Sequence, residues 1–193
     1  MEINELGIEI AKGIVESGIE GAFNNFCCST AGDKICIGVS SWENNRAEAI
    51  LNQLDGGAKF IGRTYSDIKD SDEEDELANL LDTEQGHKVQ LETLGKDCEA
   101  YAQAVIDAGL TDARCVIYAG MWCPTSDYIV GLFITHRLER GYDISANLDN
   151  LNDVFYNEYA VAAGCEDYSD GYQNRATNTY NYVSNLDLSA YGY

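Results

Sequence analysis

Glu16-Ser17-Gly18 closes an apolar N-terminal stretch, and an acid in that position has a chemical use. At the C-terminal end of a helix a carboxyl group stands beside unpaired carbonyls and the negative pole of the helix dipole, which disfavours its charged form. A retained proton is what a general acid needs, and protonating the leaving oxygen of a glycosidic bond is a reaction that suits it. The other reactive residues are more scattered. Cys27 or Cys28, with His87 or His136 as base, would supply a cysteine peptidase or amidase, but such a thiolate needs a helix N-terminus or an adjacent imidazole. The two cysteines fall instead between small elements. No Cys-x-x-Cys or His-Glu-x-x-His spacing occurs, so neither a metal nor another cofactor is expected. The segment Asp70 to Glu76 is acidic at every position but Ser71 and lacks the alternating ligands and central glycine of a calcium loop, so it reads as a solvated helix start or loop.

The elements that must position Glu16 follow from hydrophobic spacing. Ile3, Leu6, Ile10 and Ile14, joined by Gly7, Ala11 and Val15, form a helical stripe that Gly18 ends, with Glu16 on a polar flank alongside Glu5, Glu9 and Lys12. From Gly21 to Trp42 small and polar residues, a Gly32-Asp33 turn signal and the alternation of Ile35, Ile37 and Val39 predict a loop and a small hairpin. Asn44 or Asn45 is placed to cap a helix carrying Ala47, Ile50, Leu51 and Leu54, ended by Gly56-Gly57. Leu77 to Leu81, then Leu94, Cys98, Tyr101, Val105 and Ala108, give two more stripes, and a helix from Thr111 covers Ala113 to Met121. After Pro124, Ser126 can cap a helix reaching about Arg140, whose Ile129, Val130, Leu132, Phe133, Ile134 and Leu138 lie on almost every side and mark it as the buried core axis. Leu148, Leu151, Phe155 and Tyr159, then Ala176, Tyr180, Val183 and Leu186, predict the last two helices. The sum is a mainly α chain, a helical domain around a buried central helix with one small β-hairpin element.

Composition bounds the function classes. The 193 residues suit a single domain, 1–193, of two lobes with a cleft between them, and 45% hydrophobic with 23% charged residues is a globular balance. A formal net charge of −21 opposes contact with nucleic acid or an anionic membrane surface. No stretch has the length of a spanning helix, so no membrane insertion is expected, and the acidic start Met1 to Glu5 predicts no secretory signal peptide. Most of the seven cysteines read as small buried residues, with one or two disulfides if the protein works outside a cell.

A helix ending in Glu16-Ser17-Gly18, a short β segment Ile37-Gly38-Val39-Ser40-Ser41-Trp42, the Arg46-Ala47 dipeptide opening a helix and a buried central helix together resemble the lysozyme-like superfamily. More narrowly, the chain is similar to phage-associated and bacterial peptidoglycan-hydrolase domains related to goose-type lysozymes, lytic transglycosylases and chitosanases. Gly95-Lys96-Asp97, Tyr101, Ala108-Gly109-Leu110-Thr111-Asp112 and Tyr118 follow in the same order, as does Gly171-Tyr172-Gln173-Asn174-Arg175 with Tyr180. Where that family usually places Gln before the aromatic residue of the β segment, this chain has Ser41.

The resemblance implies a lysozyme-like α+β fold and a peptidoglycan glycosidase, muramidase or lytic transglycosylase, cleaving the β-1,4 bond between N-acetylmuramic acid and N-acetylglucosamine. Glu16 would be the general acid. Asp33, about where chitosanase-like relatives carry a second acid, is the first candidate for a second carboxylate and Glu43 the next; transglycosylases lack an obligatory one. Ser40, Ser41 and Trp42 would line the cleft floor with Glu43 and Tyr101, through hydroxyl hydrogen bonds and aromatic stacking on a pyranose ring. An antimicrobial, endolysin-type role is implied, with the protein phage-encoded, virion-associated or released to the cell wall. Two other readings stand beside this one: a non-catalytic cell-wall or virion binding module on the same fold, and the cysteine peptidase.

Overall fold

The computed structural model describes residues 1–19, 21–29 and 31–193. Among them the chain is mostly helical, 66%, with one small antiparallel sheet of three strands. In chain order the elements are α1 (Ile3–Glu16), β1 (Phe26–Cys28), β2 (Ile35–Ile37), β3 (Trp42–Glu43), α2 (Asn44–Leu51), α3 (Tyr65–Ile68), α4 (Asp72–Leu81), α5 (Glu84–Asp107), α6 (Ala113–Gly120), α7 (Cys123–Glu139), α8 (Leu148–Ala162) and α9 (Ser169–Ser184). Short 3-10 turns follow α2, α8 and α9. No described helix is long and apolar enough to cross a membrane. The backbone divides into two compact units: residues 1–19 with 95–193, and residues 20–94.

In the first unit α1 forms where its stripe predicts, burying Leu6, Ile10, Ala11 and Ile14. Gly7 lets it approach α5 closely, since a Cβ there would stand 2.7 Å from Gly95 O and 2.9 Å from Glu99 N. The axis of this unit is α6 and not α7. Residues Cys115 to Gly120 are all buried, and α6 lies against α1, α7, α8 and α9. Its small residues admit neighbours on every side. In α7, by contrast, Val130, Phe133 and Ile134 are buried while Tyr128, Ile129 and Leu132 are exposed at 71%, 37% and 40%, so the expected core axis is a surface helix with one apolar face. Ser126 does cap it: its backbone is extended and its Oγ accepts from Ile129 N–H at 3.3 Å.

Two further expectations are corrected here. α6 begins at Ala113 rather than at Thr111, capped by Asp112, whose Oδ1 accepts from the N–H groups of Arg114 and Cys115 at 2.9 and 3.2 Å. Glu9 leaves the polar flank of α1 and is 4% exposed. It accepts from Lys12 Nζ at 2.6 Å and Tyr191 OH at 2.8 Å, and these bonds raise both partners' pKa values above their usual range. A buried carboxylate is tolerable on those terms.

In the second unit β1, β2 and β3 form a meander in that order, with Phe26 opposite Ile37 and Ile37 opposite Trp42. The hairpin falls where alternation placed it, and α2 packs on β2 and β3. The N-cap of α2 is Glu43, without a side-chain cap bond, rather than Asn44 or Asn45. That helix stops at Leu51, short of Gly56-Gly57, because turns at Asn52 to Leu54 and a 3-10 turn over Gly57–Phe60 take over. The acidic run opens α4, where Ser71 Oγ accepts from Glu73 N–H and four acids occupy the first turn, facing the positive pole of the dipole. Arg63 holds Glu73 at 2.9 Å, and Lys59 pairs with Glu76.

Candidate functional site

Glu16 is the last residue of α1 and is exposed. Its helix ends because Ser17 Oγ donates back to Gly13 O and Gly18 takes the left-handed conformation at φ +64°, where glycine is unstrained. The Glu16 carboxylate lies close enough to α9 to act on Tyr182, whose pKa is raised first by burial and then by Glu16. Immediately beyond it, Gly18 and Ile19 wall a groove of about 410 Å³, completed by Thr125 at the start of α7 and by Tyr168, Tyr172, Asn174, Arg175 and Asn178 on and before α9.

Behind the groove, its lining residue Tyr172 packs on buried aromatic side chains. Trp122 is fully buried and stacks on Tyr172 at 5.9 Å between centroids, and Tyr159 meets Tyr172 edge-on at 5.3 Å. Arg175 is fixed over the Trp122 ring at 5.7 Å, with Nη2 donating to Met121 O at 2.7 Å. Thr125 Oγ1 and Tyr159 OH share a hydrogen bond of 3.1 Å. At the rim Tyr168 is 71% exposed. Exposed ring faces suit the apolar face of a sugar, and the Asn174 and Asn178 amides, one turn apart, suit its hydroxyl and acetamido groups.

Neither Glu16 nor Tyr101 lines this groove. Tyr101 sits on α5 near Cys98, Asp97, Cys123 and Asp127, half-buried, and burial pushes its phenol up to about 12. The remaining sequence-predicted residues belong to the other unit. Ser40, Ser41, Trp42 and Glu43 come together at the β2–β3 turn, where Ser41 is exposed at φ +48° and accepts from Asn25 Nδ2 at 3.1 Å. Trp42 is 4% exposed, so its indole packs in the interior and offers no open face for stacking. Glu43 leads into α2, its Oε2 3.9 Å from Cys36 Sγ. Asp33 stands at the opposite end of β2, exposed, where it accepts from Ser66 N–H and Oγ at 2.9 and 3.0 Å. It borders a hollow of about 200 Å³ with Lys34, Glu48 and Arg63.

Sequence reasoning missed Gln90. Fully buried in α5, it accepts from Val39 N–H at 3.1 Å and donates to Phe23 O and Leu81 O at 3.2 and 3.1 Å, pinning the β2–β3 turn. A lone amide among Leu81, Val89 and Leu94 was its one signal. Thr125 and Asn178 were missed as well, whereas the run of tyrosines in the tail, Tyr168 and Tyr172 among them, is a composition that suits carbohydrate binding.

The histidines and cysteines fall apart. His87 is held between Asp82, 2.7 Å from Nε2, and the Phe23 ring, stacked at 3.8 Å. Cys27 faces Cys36, and all seven cysteines are free thiols. His136 lies exposed in the last turn of α7. Among the described residues no three His, Cys, Asp or Glu side chains converge as metal ligands. No protein-family model, curated protein or solved structure matches the chain.

Proposed function

We propose that this chain is a lysozyme-like glycosidase that cleaves the β-1,4 bond of peptidoglycan, with Glu16 as proton donor. The observation that carries the reading is the groove that begins two residues after Glu16 and presents the Tyr168 and Tyr172 rings, the latter backed by the buried Trp122 and Tyr159. A sugar seated on Tyr168 and Tyr172 and held by the Asn174 and Asn178 amides would bring a glycosidic oxygen toward the end of α1. Covering an exposed acid with substrate removes water from it and disfavours its charge, which is the direction a general acid requires. A second carboxylate is required only on the hydrolytic route; the transglycosylase route uses the acetamido group of the substrate.

A second reading, a wall- or virion-binding module using the same groove without catalysis, is favoured by the exposure of Glu16 in the free chain. Turbidity loss of purified cell walls separates the two. Glu16→Gln should lower the rate by roughly 10²–10⁴-fold, the usual weight of a general acid, with its circular dichroism unchanged, while Cys27→Ala/Cys28→Ala should clear walls like the wild type. Wild-type binding to walls without clearance supports the module. Full activity in Glu16→Gln overturns the glycosidase reading, and loss with the cysteine pair alone favours the peptidase. Mass spectrometry of released fragments then tells a reducing muramic acid end from the anhydro product.

A further inference from the structure

In the β1–β2 ladder Cys27 lies directly opposite Cys36. Ser29 N–H donates to Lys34 O, and Gly38 N–H to Asn25 O, both at 2.9 Å and both two residues away along each strand. Hydrogen-bonded pairs alternate in an antiparallel ladder, so Cys27 and Cys36 form another such pair, with Cα atoms about 5.5 Å apart. Their side chains project from one face, and that spacing is inside the roughly 4.4–6.8 Å that a disulfide spans. The neighbouring Cys28 points from the other face, its Sγ 3.4 Å from Gly32 O.

The two thiols differ in access. Cys27 is half-buried, whereas Cys36 is 7% exposed with Glu43 Oε2 3.9 Å from its sulfur. Burial, reinforced by the Cys27 sulfur within hydrogen-bonding reach, pushes the Cys36 thiol up to about 11. Such a thiol is slow to attack an external reagent and can act on a sulfur already beside it.

We propose that Cys27 and Cys36 are a reversible modification site, closing to a disulfide by exchange with a small-molecule disulfide such as oxidised glutathione. The Cys27 thiolate attacks one sulfur of the reagent, whose S–S bond breaks and releases one thiolate. Cys36 then gives its proton to solvent and attacks the Cys27 sulfur, releasing the second. Two protein thiols lose two protons and two electrons, and the reagent is reduced to two thiols. The bridge joins β1 covalently to β2, and β2 leads through Gly38 to Ser40, Ser41 and Trp42, so oxidation tightens the hairpin that carries that turn. The inference stands apart from the glycosidase reading and survives its failure.

The test uses the full chain. After incubation with oxidised glutathione, acid quenching and blocking of free thiols with N-ethylmaleimide, the protein is digested with trypsin without reductant. Cleavage at Lys12, Lys34 and Arg46 leaves Cys27 and Cys28 on residues 13–34 and Cys36 on residues 35–46. The two peptides should appear joined, lighter than their sum by two hydrogens, and should separate with dithiothreitol. Fragmentation of the wild-type pair should assign the bond to Cys27, and Cys28→Ser should keep it while Cys27→Ser loses it. Separate peptides with Cys36 alkylated, while Cys28 carries glutathione, overturn the proposal. So does a fragment assignment to Cys28, whether or not the variants fold.

Discussion

Gly38 and Gln90 decide together where the β2–β3 turn goes. Gly38 has φ +72°, a conformation that L side chains rarely adopt, and a Cβ there would collide with the Gln90 carboxamide. The backbone must approach this closely for Val39 N–H to reach Gln90 Oε1. Gly38→Ala therefore introduces backbone strain and displaces a buried amide with three hydrogen bonds. A loss of about 1–3 kcal/mol of unfolding free energy is expected, measured as a lower urea midpoint at unchanged slope. An unaltered midpoint would show that the turn is not held in this way. The sequence made part of this legible: the segment from Ile37 to Trp42 was singled out, but Gln90, more than fifty residues on, has no local pattern to announce it. Glu9 is a similar case, since helical period groups it with Glu16, and beside its neighbour Lys12 its other partner, Tyr191, comes from the far end of the chain.

At the scale of elements, α6 and α7 exchange the roles that composition suggests. Hydropathy favours α7 because Ile129 and Leu132 weigh as heavily as Val130 and Phe133, although only the latter pair is buried. By the same measure Ala119 and Gly120 weigh little, yet it is their small size that lets α1 close on α6: a Cβ at Gly120 would collide with Ile10. Periodicity finds helices and their inward faces; which helix is surrounded depends on packing partners that sequence spacing does not encode. The contrast is measurable. Ile117→Ala should remove about 2–5 kcal/mol of stability, as for other buried aliphatic truncations, whereas Leu132→Ala should change it by less than about 0.5 kcal/mol. Equal losses in chemical denaturation would return α7 to the centre of the core. The groove has the same origin, being assembled from Gly18, Thr125 and α9, remote in sequence and joined only by the packing of their helices.

For the whole molecule, alkali is the more informative perturbation. Tyr101 is held up to about 12 and Cys115 likewise to about 12, both chiefly by burial, and burial also raises Tyr118, Tyr159, Tyr182, Cys98 and Cys123. In the unfolded chain thiols titrate near 8.5 and phenols near 10. The folded chain therefore binds more protons than the unfolded one between those values and the raised ones, and unfolding free energy falls with pH across that window. The stabilisation is complete below about pH 8.5, declines as unfolded-state thiols ionise, and declines more steeply above pH 10 as phenols join them. At the acid end the sign is opposite: Asp67, bonded to Thr64, and Glu73, bonded to Arg63, have depressed pKa values, so what they contribute is lost as pH falls below the usual carboxylate range. These two are exposed and weakly coupled to the fold, while the net charge of −21 grows more negative in alkali and adds self-repulsion. Urea midpoints under reducing conditions should accordingly be flat from pH 6.5 to 8 and fall progressively to pH 11. Absorbance near 295 nm should rise in two stages, the second, from the buried tyrosines, only with the loss of near-ultraviolet circular dichroism. A single stage completed before unfolding would mean that Tyr118 and Tyr182 are open to solvent and that the interior described around α6 does not exist.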